Sequence, residues 1–482
     1  MQNQASGPPR KRALQACDFC HSRGLKCRRL SADPQTQDIS NVCLTCIDYN
    51  VQCTMNRPVK RRGRKPTIPS GGSGKTGPGV QVDPQASSFK SPDCIHRLIE
   101  IYRDTMYQCY FPFLSENDLE VRWANNIPCE NEVSYMLLMA LCAVSAQSLT
   151  LKAVFDSELL GDANVHDSET YFTEAVSHVP TRVPDSNDLD YFRTFGLLAV
   201  YSLKSGNKSD LHRYLGLCHA LIAQNGLQNE SYWDCSISLA EVDDRRRLFW
   251  CVYRLEVHSA CVLGHIIRLP EAQISVQYPR ITPIMTRETQ AWTAGWDYIT
   301  DLFRLMEYTI LNLRQQNHAK AVFTALRDRP SPEALLESLK HLKANKPFIL
   351  RVLSQPHDEL QSNRCKYMAV QITCTEALVN IMALLHCHAP VSDVIKVAEN
   401  FLNEISEASL IMFKVASSQI IQQLLGVGYM VYNAFLYDEH QCQFAVGRLV
   451  SYLEDIIKNL EQDIPTAAAA RGELQKLARC II

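Results

Sequence analysis

Apolar residues recur at helical spacing over most of the 482-residue chain, beginning near Cys94. Ile95, Leu98, Ile99, Tyr102, Met106 and Cys109 follow the i, i+3, i+4, i+7 stripe of an amphipathic helix. Leu211, Tyr214, Leu215, Cys218, Leu221 and Ile222 form a second stripe, with Ser209 as its expected N-cap and Gly226 at its C′ position. A long helix is expected from Glu241 to about Leu263, stopped ahead of Pro270. Ser331-Pro332 sets a cap and an N1 proline before Leu335, Leu336, Leu339 and Leu342. Further helices are predicted near 297–316, 366–386, 392–416, 418–435 and 443–462. No sustained apolar–polar alternation argues for a sheet, and no solenoid repeat occurs. Residues 94–482 therefore read as one large all-α body of about 15 or more helices.

Ahead of Cys94 the helical pattern stops. Residues 1–16 form a basic tail, 17–53 are rich in cysteine, and 54–93 combine a basic run with a Gly-, Ser- and Pro-rich stretch. That stretch has too little apolar content for a core and reads as a flexible linker. The richest apolar run, Met136 to Val144, is broken by Ser145 and Gln147, so no membrane span is expected. The first residues lack the apolar segment of a secretory signal, and an intracellular protein is expected.

Charge sharpens this division. The chain carries a formal charge of −2, but residues 1–66 hold thirteen Lys/Arg against four acids. The remainder holds 36 bases and 47 acids. A strongly basic module for a polyanion is thus joined to an acidic body.

Six of the 19 cysteines fall between positions 17 and 53. They form Cys17-x2-Cys20-x6-Cys27 and, fifteen residues on, Cys43-x2-Cys46-x6-Cys53, one three-thiol unit written twice. A Cys-x2-Cys turn brings two sulfurs to one metal, and the six residues that follow return a third. Two tetrahedral Zn²⁺ ions offer eight ligand positions, which six thiolates fill only if two of them bridge both metals. A binuclear zinc cluster is the economical solution. A single zinc held by four of the cysteines is the main competitor, and a disulfide framework is improbable inside a cell. Arg23, Lys26, Arg28 and Arg29 lie close in sequence to offset the cluster's negative charge.

The stretch Ala16-Cys17-Asp18-Phe19-Cys20, Lys26-Cys27-Arg28, Cys43-Leu44-Thr45-Cys46 and Cys53 resembles the fungal binuclear zinc-cluster (Zn₂Cys₆) transcription factors. The resemblance implies that Cys17 and Cys43 are the bridging ligands. It also implies that the short helix after Cys17 enters the major groove of double-stranded DNA, where the family reads CGG-like triplets. Two departures stand out: the Cys27–Cys43 loop is longer than usual, and Gly24 occupies the position of the family's usual base-reading Lys or Arg. Arg23 and Lys26 remain as groove-facing candidates, with guanine O6 and N7 as the expected contacts. Phosphate neutralisation by the basic module supplies most of the affinity, with Arg28, Arg29 and the run Lys60, Arg61, Arg62, Arg64 and Lys65 as contributors. That run also reads as a nuclear import signal, so the nucleus is the expected location.

A second, weaker resemblance lies in the body. Tyr214 to Ala220, Gly226-Leu227, Glu241 and Arg245 to Trp250 look like the middle homology region of the same factors, over about 95–285. Glu256 stands where the family often has Asp, and Gly264-His265-Ile266 where it often has Gly-Arg-Pro. Phe249, Trp250 and Tyr253 read as core, and Arg245 to Arg247 as partners of Glu241, Asp243 or Asp244.

Other signals carry less. Gly72 to Thr76 resembles the end of a phosphate-binding loop, but Pro69 stands where its first glycine belongs. His386-Cys387-His388 cannot converge on one metal from a single helix face. No enzymatic motif is found, and closed all-Cys coordination leaves no open zinc position for hydrolysis. The leading reading is a sequence-specific regulator of RNA polymerase II genes, with the resemblance favouring a pathway activator. A repressor and a zinc-dependent protein-interaction scaffold are the alternatives. The body is expected to receive a small-molecule effector or a co-regulator protein. The linker is too rich in Gly and Pro for heptads, so the chain is expected to act as a monomer or to dimerise through the helical body.

Overall fold

The computed structural model describes residues 16–23, 25, 27, 43–49 and 51–54, and most of 91–481. Within the latter span the undescribed stretches are 110–112, 115–117, 120–121, 123–130, 162–164, 185, 317–329, 348–349, 351–362 and 437–441. The chain divides into two compact units, Met1–Gln81 and Val82–Ile482. Among its described residues the first contains two five-residue helices, α1 (Asp18–Ser22) and α2 (Leu44–Asp48).

The second unit is helical, as its periodicity predicts. Its elements are α3 (Pro92–Asp104), α4 (Met106–Cys109), α5 (Glu132–Thr150), α6 (Ser168–Ser177), α7 (Leu189–Lys204), α8 (Lys208–Asn225) and α9 (Leu239–Leu263). They continue as α10 (Arg287–Gln316), α11 (Pro332–Ala344), α12 (Asn363–His386), α13 (Val391–Ile405), α14 (Leu410–Ala416), α15 (Ser418–Phe435), α16 (Gln443–Lys458) and α17 (Ala467–Ile481). Among the described residues the extended pairing amounts to one parallel bridge, Asn229 to Ser275.

Helix ends follow local chemistry. Ser331 caps α11 with Pro332 at its first position, as expected, and Ser238 caps α9 by accepting the Glu241 N–H at 3.1 Å. Gly226 and Gly264 end α8 and α9 in left-handed conformations, with φ of 62° and 71°. The long helix ends at Leu263, as expected, and Gly264 is the residue that stops it. The cap of α8 is Asn207, not Ser209; its side chain accepts the Asp210 N–H at 3.2 Å. The single helix expected over 392–416 is two: α13 ends at Ile405, and α14 opens after Ser409, whose ψ of 148° is extended. Ser417, at φ 50°, turns α14 into α15 through 100°. The Ser418 hydroxyl fastens that corner to the Lys204 carbonyl at 2.7 Å.

Helices α5 and α12 are long and apolar enough to cross a membrane by length and composition. In this fold both are interior: α5 is buried without a break from Met136 to Ser148, and α12 is buried along most of its length. Phe249, Trp250 and Tyr253 sit in the same core. Arg245 pairs with Glu241 at 2.8 Å and Arg247 with Asp244, as expected from spacing. Arg246 makes its strongest pair with Glu230, at 2.7 Å, a partner sixteen residues earlier. Glu256 is buried and holds Arg268 through its guanidinium at 2.7 Å and its backbone N–H at 2.8 Å.

Candidate metal centre

The repeated cysteine spacing produces a repeated backbone. Cys17 and Cys43 are extended N-cap residues, with φ/ψ of −63°/164° and −85°/148°. Each opens a five-residue helix, and those helices end at Arg23 and Tyr49 with φ/ψ of −98°/1° and −94°/1°. The chain then turns back identically: the Leu25 N–H reaches the Cys20 carbonyl at 2.8 Å, and the Val51 N–H the Cys46 carbonyl at 3.0 Å. This return leads the chain to Cys27 and Cys53.

The two units meet through their sulfurs. Cys17 Sγ lies 3.7 Å from Cys43 Sγ and 3.5 Å from Cys46 Sγ, while Cys20 Sγ lies 3.6 Å from Cys43 Sγ. The four thiols of Cys17, Cys20, Cys43 and Cys46 lie within 4.8 Å of one another and are fully buried. Sulfurs at about 2.3 Å from a tetrahedral zinc stand about 3.8 Å apart, so these separations fit shared coordination. Cys27 and Cys53 are half-buried against this group, and the Cys53 thiol interacts with those of Cys17, Cys46 and Cys43. The donor set is all sulfur and its four central thiols are closed to solvent, which suits structural Zn²⁺. The first cysteine of each unit touches the thiols of the other, so Cys17 and Cys43 occupy the middle of the group.

Electrostatics separates the thiols in the same way. Burial raises those of Cys17, Cys20, Cys43, Cys46 and Cys53. In Cys17 the opposing Cys20 backbone N–H, together with the neighbouring thiols, brings the value down to about 6. In Cys43 the Cys46 N–H, 3.4 Å from Sγ, also leads to a lowered value. Cys20 is pushed up to about 12, and Cys46 and Cys53 are raised as well. Both N-cap thiols are thus biased toward the thiolate that a metal requires.

Two contacts close the module that the cysteine spacing does not announce. Thr54 Oγ1 donates to Asp18 Oδ2 at 2.8 Å and the Asp18 N–H donates to the Thr54 carbonyl at 2.9 Å, joining the end of the second unit to the start of the first. The Phe19 and Tyr49 rings pack with centroids 5.7 Å apart. The positions of Phe19 and Tyr49, two and six residues after the first cysteine of their units, are the available sequence signal, but ring pairing needs the geometry. Arg23 is exposed at the end of α1, its guanidinium 5.9 Å from the Phe19 ring. Gly24, Lys26, Arg28, Arg29, Lys60, Arg61, Arg62, Arg64 and Lys65 lie outside the described residues.

Comparison with known proteins matches residues 15–62 to the fungal Zn(2)-Cys(6) binuclear cluster domain, which binds two zinc ions, and residues 99–294 to the fungal specific transcription factor domain. Among curated proteins of Saccharomyces cerevisiae, the maltose fermentation regulatory protein MAL33 is 24% identical over 294 residues. That alignment covers 55% of this chain and 56% of MAL33. Maltose fermentation regulatory protein MAL13 is 23% identical over 285 residues, 54% of each chain. Pyrimidine pathway regulatory protein 1 is 23% identical over 155 residues, 32% of this chain and 16% of its own length. The chain thus spans about half, or less, of the length of these relatives.

Proposed function

The chain belongs to the fungal Zn₂Cys₆ zinc-cluster transcription factors, and from that premise we propose that it is a sequence-specific DNA-binding regulator of RNA polymerase II genes. The observation that carries this reading is the convergence of two matched three-cysteine units, with Cys17 and Cys43 central and 3.7 Å apart. Cys17, Cys20, Cys27, Cys43, Cys46 and Cys53 hold the two zinc ions. The metals supply cross-links that a 37-residue segment without an apolar core of its own otherwise lacks. The cluster fixes α1, and the exposed Arg23 beside Lys26 reads bases in the major groove, with CGG-like triplets as the target. Arg28, Arg29 and the run from Lys60 to Lys65 neutralise phosphates, and that run directs nuclear import.

The acidic body is the regulatory part, and the protein acts as an activator of one pathway's genes, in keeping with relatives named for maltose fermentation and the pyrimidine pathway. A cleft of about 490 Å³ lined by Glu230, Trp250, Glu271, Gln277, Tyr278 and Arg304 supports a small-molecule effector, since its volume lies in the usual range for such sites. Its charges are internally matched: Glu230 pairs with Arg246, and Glu271 with Arg304. Binding-site selection from random duplex DNA with the full zinc-loaded chain tests the reading. A CGG-containing motif lost on chelation is expected. Failure to enrich any motif while two zincs remain bound would instead favour a protein-interaction role.

A further inference from the structure

Helix α16 buries Val446, Leu449, Val450, Leu453 and Ile457 against the body. Its opposite side carries a second stripe, Phe444, Arg448, Ser451, Asp455 and Lys458, in alternating steps of four and three residues, with Tyr452 beside it. All six are exposed. Phe444 is 86% exposed and Tyr452 41%, and the Arg448 side chain is 64% exposed. Steps of four and three keep a stripe on one helix face, the spacing by which two helices lie side by side. One exposed phenylalanine alone needs no partner. The order of the charges along the stripe points to one.

That order is self-complementary. Turning the helix end for end about the midpoint of Ser451 and Tyr452 sets Phe444 on Lys458, Arg448 on Asp455 and Ser451 on Tyr452. A two-fold contact makes each of these pairs twice. An aromatic face then receives an ammonium, and a guanidinium receives a carboxylate. A parallel pairing would instead set Arg448, Asp455 and Lys458 each against its own copy. Glu399 of α13 accepts one N–H of Arg448, and the remaining guanidinium donors can serve a carboxylate opposite. Asp455 enters no ion pair among the described residues.

We propose that this face of α16 binds the same face of a second copy of the chain, antiparallel, about a two-fold axis at Ser451 and Tyr452. Of the two states the sequence leaves open, a monomer and a dimer through the helical body, this selects the dimer and gives it a seam. A 16-residue helix is about 24 Å long, so the contact is small and the dimer weak by itself. Two zinc modules on one dimer gain by effective concentration on DNA carrying two triplets. That gain rests on the DNA-reading function, whereas the pairing does not.

The test is sedimentation of the full zinc-loaded chain without DNA, each variant first matched to wild type by thermal melting. A dimer with Kd on the order of 10 μM is expected. Phe444→Asp should weaken it by about tenfold or more. Arg448→Asp and Asp455→Arg should each weaken it by about 5- to 10-fold, since like charges then meet twice. The double variant should return to within about threefold of wild type. Arg448 and Asp455 stand about 10 Å apart along their own helix, so restoration requires a second chain. A chain still monomeric at about 100 μM, a dimer indifferent to Phe444→Asp, or a double variant no tighter than the single ones would each overturn the proposal.

Discussion

The two halves of the metal module share a backbone and differ in surface. Each runs from an extended cysteine through a five-residue helix to a turn of the same φ/ψ. The first half carries Arg23, Lys26, Arg28 and Arg29 after its helix. The second has no base from Cys43 to Thr54 and instead exposes Ile47 and Tyr49, at 58% and 59%, on its surface. The difference teaches which positions do what. Thiol spacing dictates the path of the chain, because each sulfur must return to the same point. The residues between the thiols are free of that constraint and decide what each face meets.

The comparison predicts its own largest effect at the central thiols. Cys17→Ser and Cys43→Ser should be equally damaging, each removing a sulfur that contacts the other unit. Both should bind fewer than two zincs by native mass spectrometry and lose about two orders of magnitude or more in DNA affinity. A mild Cys43→Ser beside a severe Cys17→Ser would break the equivalence of the halves.

A smaller effect should separate the surfaces. Arg23→Ala should weaken specific DNA binding by about 5- to 100-fold, the range for a base-reading side chain. Tyr49→Ala should change it less than about twofold in the same titration at saturating zinc, since the proposed base- and phosphate-contacting residues all lie outside the second unit and the Tyr49 ring packs on Phe19. Equal losses would mean that both faces meet DNA.

The smallest effect concerns the clasp by which the end of the second unit holds the start of the first. Thr54→Val removes the donor to Asp18 Oδ2 and should destabilise the module by about 1 kcal/mol, read as easier zinc extraction by a chelator. DNA affinity at saturating zinc should stay unchanged.

How far the sequence could be read follows the same logic. Residues that act locally were legible: Ser331 and Pro332 start a helix, Gly226 ends one, and the doubled cysteine spacing predicts a doubled backbone. Features made by packing were not. Helix α5 shows no stripe because all its faces are buried, so it reads only as an apolar run. The break after Ile405 has no Gly or Pro to mark it. Arg246 finds Glu230 across a loop, a pairing that helical spacing alone cannot suggest. The Thr54–Asp18 clasp joins residues 36 apart and requires the metal module to be assembled first.

The most direct test of the central claim is the zinc count of the full chain in native mass spectrometry, wild type beside Cys17→Ser. Two zincs per wild-type chain, and fewer than two in Cys17→Ser, are the predicted result. One zinc per wild-type chain, retained when Cys27 and Cys53 are both replaced by serine, would contradict it and leave a four-thiol mononuclear site in place of the cluster.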